Sequence, residues 1–279
     1  MLDAAQQVAL IEFIHSLVIH PQRITYAVPF FTANWTEEEK LELSWDFDDL
    51  FIWAAYAGHE LNVSQELYRW YDPTLGTCFT FNDVPIPAFQ VGDAGEDAGF
   101  KALLRLRQDE YLPWIESSAI TVYVHSRDEQ VFIDTPHYFA LPGSWSQFAV
   151  SLTEYQRLGG VYGSCVKEPS EVRTYYYGEK YTNDGCLTSC YQNVIHLLCG
   201  CTDPRYPGIE NGSIPVCGLA EAACVLNVTD VHGDSSTWGA VCDCPIACEE
   251  TLYDALAYTA PFAVNVCTMV GVRNCKKRS

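Results

Sequence analysis

Ten of the thirteen cysteines of this 279-residue chain fall in the stretch from Cys165 to Cys248, and that clustering restricts the fold more than any other feature. Thiols at this density either oxidise in pairs or hold a metal. Their order is Cys165, Cys186-x3-Cys190, Cys199-x-Cys201, Cys217, Cys224, Cys242-x-Cys244 and Cys248. Structural zinc sites usually separate paired thiolates by about two to four residues, a spacing that the two Cys-x-Cys pairs miss. An even set of ten can pair completely, so disulfides in an oxidising, extracellular or lumenal compartment are the expectation, with no bound metal or other cofactor. Spacing alone leaves the connectivity open.

The remaining composition agrees with a globular domain that faces the outside. With 48% hydrophobic and 19% charged residues the chain can bury a core. Thirty-six acidic against 16 basic residues give a formal charge of -20, which repels a phosphate backbone and excludes nucleic acid as a partner. Acceptor triplets for N-glycosylation begin at Asn34, Asn62, Asn211 and Asn227. Met1-Leu2-Asp3 carries neither the basic nor the apolar region of a secretory leader, so the N-terminus reads as incomplete. Residues 255–272 are uncharged and precede Arg273, Lys276, Lys277 and Arg278, yet Thr259, Pro261, Asn265, Thr268 and Gly271 make this a poor membrane span.

Periodicity predicts helices first and strands afterwards. Leu10, Ile11, Ile14, Leu17 and Val18 lie at helical spacing between Asp3 and Pro21. Thr36-Glu37-Glu38-Glu39 has the form of a capping box, opening a helix expected to reach about Gly58, and Ser64 is expected to cap a shorter one through Tyr71. Cys78–Phe81, Leu103–Leu106, Ile120–Val124 and Ser146–Leu152 read as strands. Helices followed by strands without alternation indicate an α+β fold with a mainly antiparallel sheet. No Gly-x-Ser-x-Gly, His-Glu-x-x-His or Walker loop is present, and His15 and His20 read as packing residues, so no enzyme chemistry is expected.

Several segments carry a resemblance. Gly76-Thr77-Cys78-Phe79-Thr80-Phe81-Asn82 resembles the Gly-x-Cys-Tyr-Thr-Phe-Asn segment of the degenerin/epithelial sodium channel family, with the acid-sensing channels closest. Gln108–Pro113, Val124–Glu129 and Phe132–Asp134 are similar to a run of the palm and β-ball in those channels, and the cysteine series is similar to their thumb. The resemblance implies finger- or knuckle-like helices in residues 1–75, palm and β-ball strands in 76–164, a thumb in 165–248, and a palm return with a divergent tail in 249–279. It also implies the pairing Cys165–Cys248, Cys186–Cys244, Cys190–Cys242, Cys199–Cys224 and Cys201–Cys217. The function implied is that of the extracellular domain of a trimeric, voltage-independent, ligand-gated and amiloride-sensitive sodium channel subunit at the plasma membrane. Its partners would be sodium ions and like or unlike subunits, with an extracellular ligand of unknown kind.

The departures from the family carry information too. The family's membrane spans and Gly-x-Ser filter are not found here, so membrane contact would run through segments outside this sequence; a secreted cysteine-rich ligand-binding module is the alternative reading. Cys78 lacks its upstream family partner, and Cys267 and Cys275 lie in the divergent tail. Ala54 and Leu61 stand where the acid-sensing channels have a finger disulfide. Lys101 and Leu226 replace two acidic-pocket carboxylates, while Asp230 retains a third and Glu116 stands near a fourth, so weak proton sensing is expected. Tyr162 takes the place of a Trp that docks the family's thumb on its first span.

Overall fold

The computed structural model describes residues 23–83, 88–90, 92, 95–111, 115, 117–178, 180–209, 214–233, 237–238 and 241–262. The helix expected over residues 2–20, together with Glu116, Asn211, Cys267 and Cys275, lies outside the described residues.

The described residues open with helix α1 (Arg23–Phe31), a segment for which the sequence offered no expectation. The capping box at Thr36 forms: the Thr36 hydroxyl accepts from the Glu39 amide at 3.2 Å, and the Glu39 carboxylate accepts from the Thr36 amide at 2.8 Å. The helix it opens, α2 (Glu37–Glu42), is much shorter than the expected run to Gly58. Ser44 turns its hydroxyl back to the Lys40 carbonyl at 2.6 Å, and Asp46 starts a fresh one-turn helix, α3 (Phe47–Leu50). Such side chains compete for backbone groups and interrupt helices. The aromatic and β-branched residues after it form strand β1 (Phe51–Tyr56) instead.

Ala57 and Gly58 both have positive φ, 49° and 79°. This is the twist that a tight antiparallel hairpin needs, and it returns the chain into β2 (His59–Glu60). The expected helix from Ser64 to Tyr71 is likewise one turn only, α4 (Val63–Glu66), with Asn62 rather than Ser64 at its N-cap. Leu67-Tyr68-Arg69-Trp70-Tyr71-Asp72 then forms β3, paired in register with β4 (Gly76–Phe81). Arg69 anchors this hairpin to the preceding helices by donating to the Leu41 and Ser44 carbonyls at 2.7 and 2.9 Å.

Among the described residues all paired strands run antiparallel, in four small sheets. β5 (Phe100–Leu104) joins β1, and β6 (Ile120–Tyr123) pairs with β7 (His137–Ala140). The longest ladder pairs β8 (Ser144–Gln156) with β9 (Glu249–Pro261) through all 13 residues of each strand. At the rise of an extended chain this ladder is about 40 Å long. Residues 255–261 of the uncharged tail therefore belong to a strand, and among the described residues no helix is long and apolar enough to cross a membrane.

Of three apolar clusters among the described residues, the two larger ones organise the fold. Ala54, Tyr56, Leu61 and Leu67 pack with Phe47, Phe51, Phe79, Phe81 and Phe89, with Phe81 stacked on Phe100 at 4.7 Å. The larger cluster lies among the cysteines, and Ala27 and Phe30 of α1 insert into it beside Tyr191, Ile195, Val225 and Trp238. Helix α1 is thus part of the core of the cysteine-rich unit.

Candidate functional site: the disulfide-stapled unit and its junctions

Helix α5 (Asn183–Cys199) opens at Thr182, whose hydroxyl accepts from the Gly185 amide at 3.0 Å. Gly185 itself leaves room for Tyr175, since a β-carbon there would lie 2.6 Å from the tyrosine hydroxyl. The helix ends at Gly200 in the left-handed conformation, φ 76°, where its amide reaches the His196 carbonyl. Helix α6 (Ala222–His232) runs beside it.

Five disulfides link this unit: Cys165–Cys248, Cys186–Cys244, Cys190–Cys242, Cys199–Cys224 and Cys201–Cys217. Cys186 and Cys190 are one helical turn apart on α5, about 6 Å along its axis. Their partners Cys244 and Cys242 are two residues apart on the facing segment, where a tight turn brings the Cys244 amide to the Cys242 carbonyl at 3.0 Å. Cys-x3-Cys on one side thus faces Cys-x-Cys on the other. Cys199–Cys224 joins α5 to α6, and Cys201–Cys217 closes the loop between them. In the chain-entropy account such bonds contribute about 3 kcal/mol for the shortest loop and about 4.5 kcal/mol for the longest, before the overlap of nested loops is deducted.

Inside the unit lies a buried charge network. Asp203 is 1% exposed, and Arg205 donates to its carboxylate from Nη2 at 2.6 Å and from Nε at 3.0 Å. The same Nη2 reaches the Tyr191 hydroxyl on α5 at 3.2 Å and the Thr229 hydroxyl on α6 at 3.0 Å. Tyr191 donates to Asp203 at 2.7 Å, and Gln192 brackets the Asp203 backbone with two further bonds. Burial works against the Arg205 charge, but the Asp203 carboxylate outweighs it and raises the guanidinium pKa. The guanidinium also lies over the Phe30 ring of α1, at 5.9 Å, and Thr74 in the β3–β4 turn donates to the Arg205 carbonyl at 2.6 Å. One side chain and its own carbonyl therefore connect both helices of the unit to α1 and to the β3–β4 hairpin. Sequence reasoning missed this group; Asp203-Pro204-Arg205 marks a charged pair inside the cysteine frame, but not its meeting with Tyr191, Gln192 and Thr229.

The unit grows from one end of the β8–β9 ladder. After the Gln156–Glu249 pair, Arg157 donates from its amide to the Cys248 carbonyl at 2.7 Å and from its side chain to the Ala247 carbonyl at 2.8 Å. Cys165–Cys248 lies directly beyond, where Val166 and Ala247 form a bridge. The turn Gly160–Tyr162 projects at this same end, leaving Val161 94% and Tyr162 78% exposed.

The other sequence-singled residues are dispersed. Lys101 lies on β5 and pairs with Asp97 at 2.6 Å. Asp230 is exposed on α6, whereas Leu226, one turn earlier, packs against the core of the unit as an apolar residue. Asn34, Asn62 and Asn227 are exposed, Asn227 on α6 itself. Ala54 and Leu61 sit opposite one another, with the Leu61 amide 2.9 Å from the Ala54 carbonyl. The Cys78 thiol is free, and burial, with Asp72 nearby, pushes its pKa up to about 12. Among the described residues no cluster of His, Cys, Asp and Glu could hold a metal ion.

Comparison with known proteins places this arrangement. The family model described as "Amiloride-sensitive sodium channel" matches residues 14–270. Degenerin-like protein asic-1 of Caenorhabditis elegans is 32% identical over 232 residues, covering 81% of this chain and 27% of that protein. Degenerin del-1 of the same organism is 34% identical over 171 residues, covering 61% of this chain and 26% of its own length. Degenerin mec-10, also from C. elegans, is 29% identical over 252 residues, covering 88% and 34%. The chain thus spans about a quarter to a third of the length of these relatives. With a family match over nearly the whole sequence, and the helical, disulfide-linked unit mounted on an antiparallel ladder, the chain belongs to the amiloride-sensitive sodium channel family.

Proposed function

We propose that this chain is extracellular sequence of a sodium channel subunit of the plasma membrane, opened by a ligand rather than by voltage and assembled with two further subunits. Family membership supports the ion and the class of channel. On this reading residues 1–75 supply finger- and knuckle-like helices, 76–164 palm and β-ball strands, 165–248 the thumb, and 249–279 the palm return and tail. The observation that carries the mechanism is the junction of the stapled unit with one end of the long ladder, through Arg157, Val166 and the Cys165–Cys248 bond.

Five disulfides make the thumb a stiff body, so a ligand that displaces it turns it as a lever about that junction. The exposed Tyr162 lies at the pivot and offers an aromatic surface to a pore helix supplied by the complete subunit. The Arg205 network opposes the motion, because displacing the thumb from α1 and the β3–β4 turn strains contacts around a buried charge. Ligand binding and pore opening then become two sites coupled through one rigid body. The test is to splice residues 23–262 between the membrane spans of a conducting relative and record amiloride-blocked sodium current. Surface-expressed chimeras that assemble as trimers but never conduct under any applied ligand would overturn the proposal and favour the secreted binding module.

A further inference from the structure

An acceptor triplet for N-glycosylation is built into α6, where the folded chain withholds it. Asn227-Val228-Thr229 lies inside this helix, with Asn227 exposed and Val228 only 6% exposed. The Thr229 hydroxyl donates to the Val225 carbonyl at 2.6 Å and accepts from Arg205 Nη2 at 3.0 Å. Glycan transfer uses an exposed, drawn-out triplet whose third residue presents a free hydroxyl. From Asn227 to Thr229 a helix rises about 3 Å, against about 6.6 Å for extended chain. Transfer therefore requires α6 to unwind, Val228 to leave the core and Thr229 to release Arg205.

Two other triplets meet no such barrier. Asn34 lies in the turn before α2, and the Thr36 hydroxyl is engaged by Glu39, its near neighbour. At Asn62 the Ser64 hydroxyl bonds the acceptor's own side chain at 2.9 Å. Both arrangements are exposed and local, so they open without disturbing a core. Thr229 is held instead by an Arg205 that is itself tied to the buried Asp203 and to Tyr191. Helix α6 is also fastened to α5 by Cys199–Cys224, just before Asn227.

The order of synthesis sharpens the contrast. Cys199, Cys201, Asp203, Arg205, Cys217 and Cys224 all precede Asn227 in the chain. The groups that lock α6 are thus present when this acceptor arrives, whereas Asn34 and Asn62 arrive long before the cysteine-rich unit against which α1 packs.

We propose that Asn227 accepts a glycan only until α6 closes, so that oxidation of Cys199 and Cys224 decides how many molecules carry one there. Transfer joins Asn227 Nδ2 to the anomeric carbon of a lipid-linked oligosaccharide. It breaks that carbon's bond to a pyrophosphate oxygen, and the amide proton and the lipid pyrophosphate depart. Closure takes two protons and two electrons from the thiols, which a disulfide oxidant of the same compartment accepts. A glycan once attached is compatible with the fold, because Asn227 is exposed. Chains therefore leave the compartment as two populations, with and without a sugar on α6. The inference rests on the extracellular reading and is independent of sodium conduction.

The test places the whole chain behind a cleavable secretory leader in cultured animal cells. Occupancy at Asn34, Asn62 and Asn227 is read in the secreted protein by mass spectrometry after enzymatic deglycosylation in heavy-oxygen water. Parallel cells receive a pulse of dithiothreitol during synthesis, washed out afterwards so that the unchanged sequence refolds, and disulfide mapping checks that it does. Expected is fractional occupancy at Asn227 that rises at least about twofold with the pulse, while Asn34 and Asn62 stay constant, since delayed closure leaves the site open beyond its synthesis. Cys199→Ser with Cys224→Ser should raise occupancy at Asn227 without reductant. Complete occupancy at Asn227 in untreated cells, an occupancy there that ignores the pulse, or an equal rise at all three sites would each overturn the proposal. No glycan at any of the three would overturn the extracellular reading along with it.

Discussion

Removing Asp203 while leaving Arg205 in place strands a guanidinium whose side chain is only 14% exposed. Its remaining hydrogen-bond partners are two neutral hydroxyls, those of Tyr191 and Thr229, beside the Phe30 ring. Breaking a buried pair from one side costs about 3–5 kcal/mol, because the surviving charge stays desolvated. Asp203→Ala is therefore expected to lose that much local stability, and the loss should appear in both α5 and α6. Replacing both partners by apolar residues is cheaper, so Asp203→Ala combined with Arg205→Met should recover at least about 1 kcal/mol of it. The assay is site-resolved hydrogen exchange of the disulfide-intact chain, read at Ile195 on α5 and Val225 on α6, both fully buried. A third reporter is Thr74, whose hydroxyl bonds the Arg205 carbonyl. If the single variant protected these amides as well as the parent does, or if the double variant lost as much as the two singles summed, the account of Arg205 as a buried charge tying the helices together would be wrong.

Four further outcomes are expected. Ala54→Cys with Leu61→Cys should form a disulfide, since the two are register partners beyond the Ala55–Glu60 pair; thiol alkylation followed by mass spectrometry should find no more free thiols than in the parent. Asp72→Asn should stabilise the fold at neutral pH, because burial raises the Asp72 carboxyl and the charged form is the penalised one. That penalty is present above the folded pKa and gone below the unfolded one, so the advantage should fade as pH falls through the carboxylate range, a trend that denaturation at stepped pH would reveal or refute. Tyr162→Ala should leave the isolated chain within about 0.5 kcal/mol of the parent, as expected of an exposed site, yet impair opening in the chimeric channel. That chimera should respond weakly to acidification, and Lys101→Glu with Leu226→Asp should strengthen the response, unless the partly buried place of Leu226 rejects the charge and surface expression falls.

The sequence made some layers of this molecule readable and hid others. Thr36-x-x-Glu39 announced a helix start because a capping box is a local arrangement of four residues. It said nothing of the stop, which depends on Ser44 and Asp46 and on β1 finding β5 nearly fifty residues later. The aromatic alternation in Leu67–Tyr71 was obscured by Ser64, a plausible cap in isolation, and only the partner strand at Gly76–Phe81 resolves it. In the stapled unit, residue types pointed to disulfides while the resemblance alone suggested their order. The Asp203–Arg205 network stayed hidden for another reason. Its members are ordinary polar residues at 191, 192, 203, 205 and 229, and nothing in their spacing shows that they meet.

The matched rungs of the stapled unit restrict how such a chain can change over generations. Between Cys186 and Cys190 a residue added or lost rotates the helix by about 100° and points a thiol away from its partner. One added between Cys242 and Cys244 opens the tight turn that aims both thiols at α5. Length is therefore frozen on both rails at once. It is free where no rung counts residues: in the reach from Cys165 to Cys186, between Cys201 and Cys217, and in the return from α6 to Cys242. Relatives are expected to differ in size at these three places and to keep the same count elsewhere, so novelty in this unit accumulates in its loops while the staple is inherited intact.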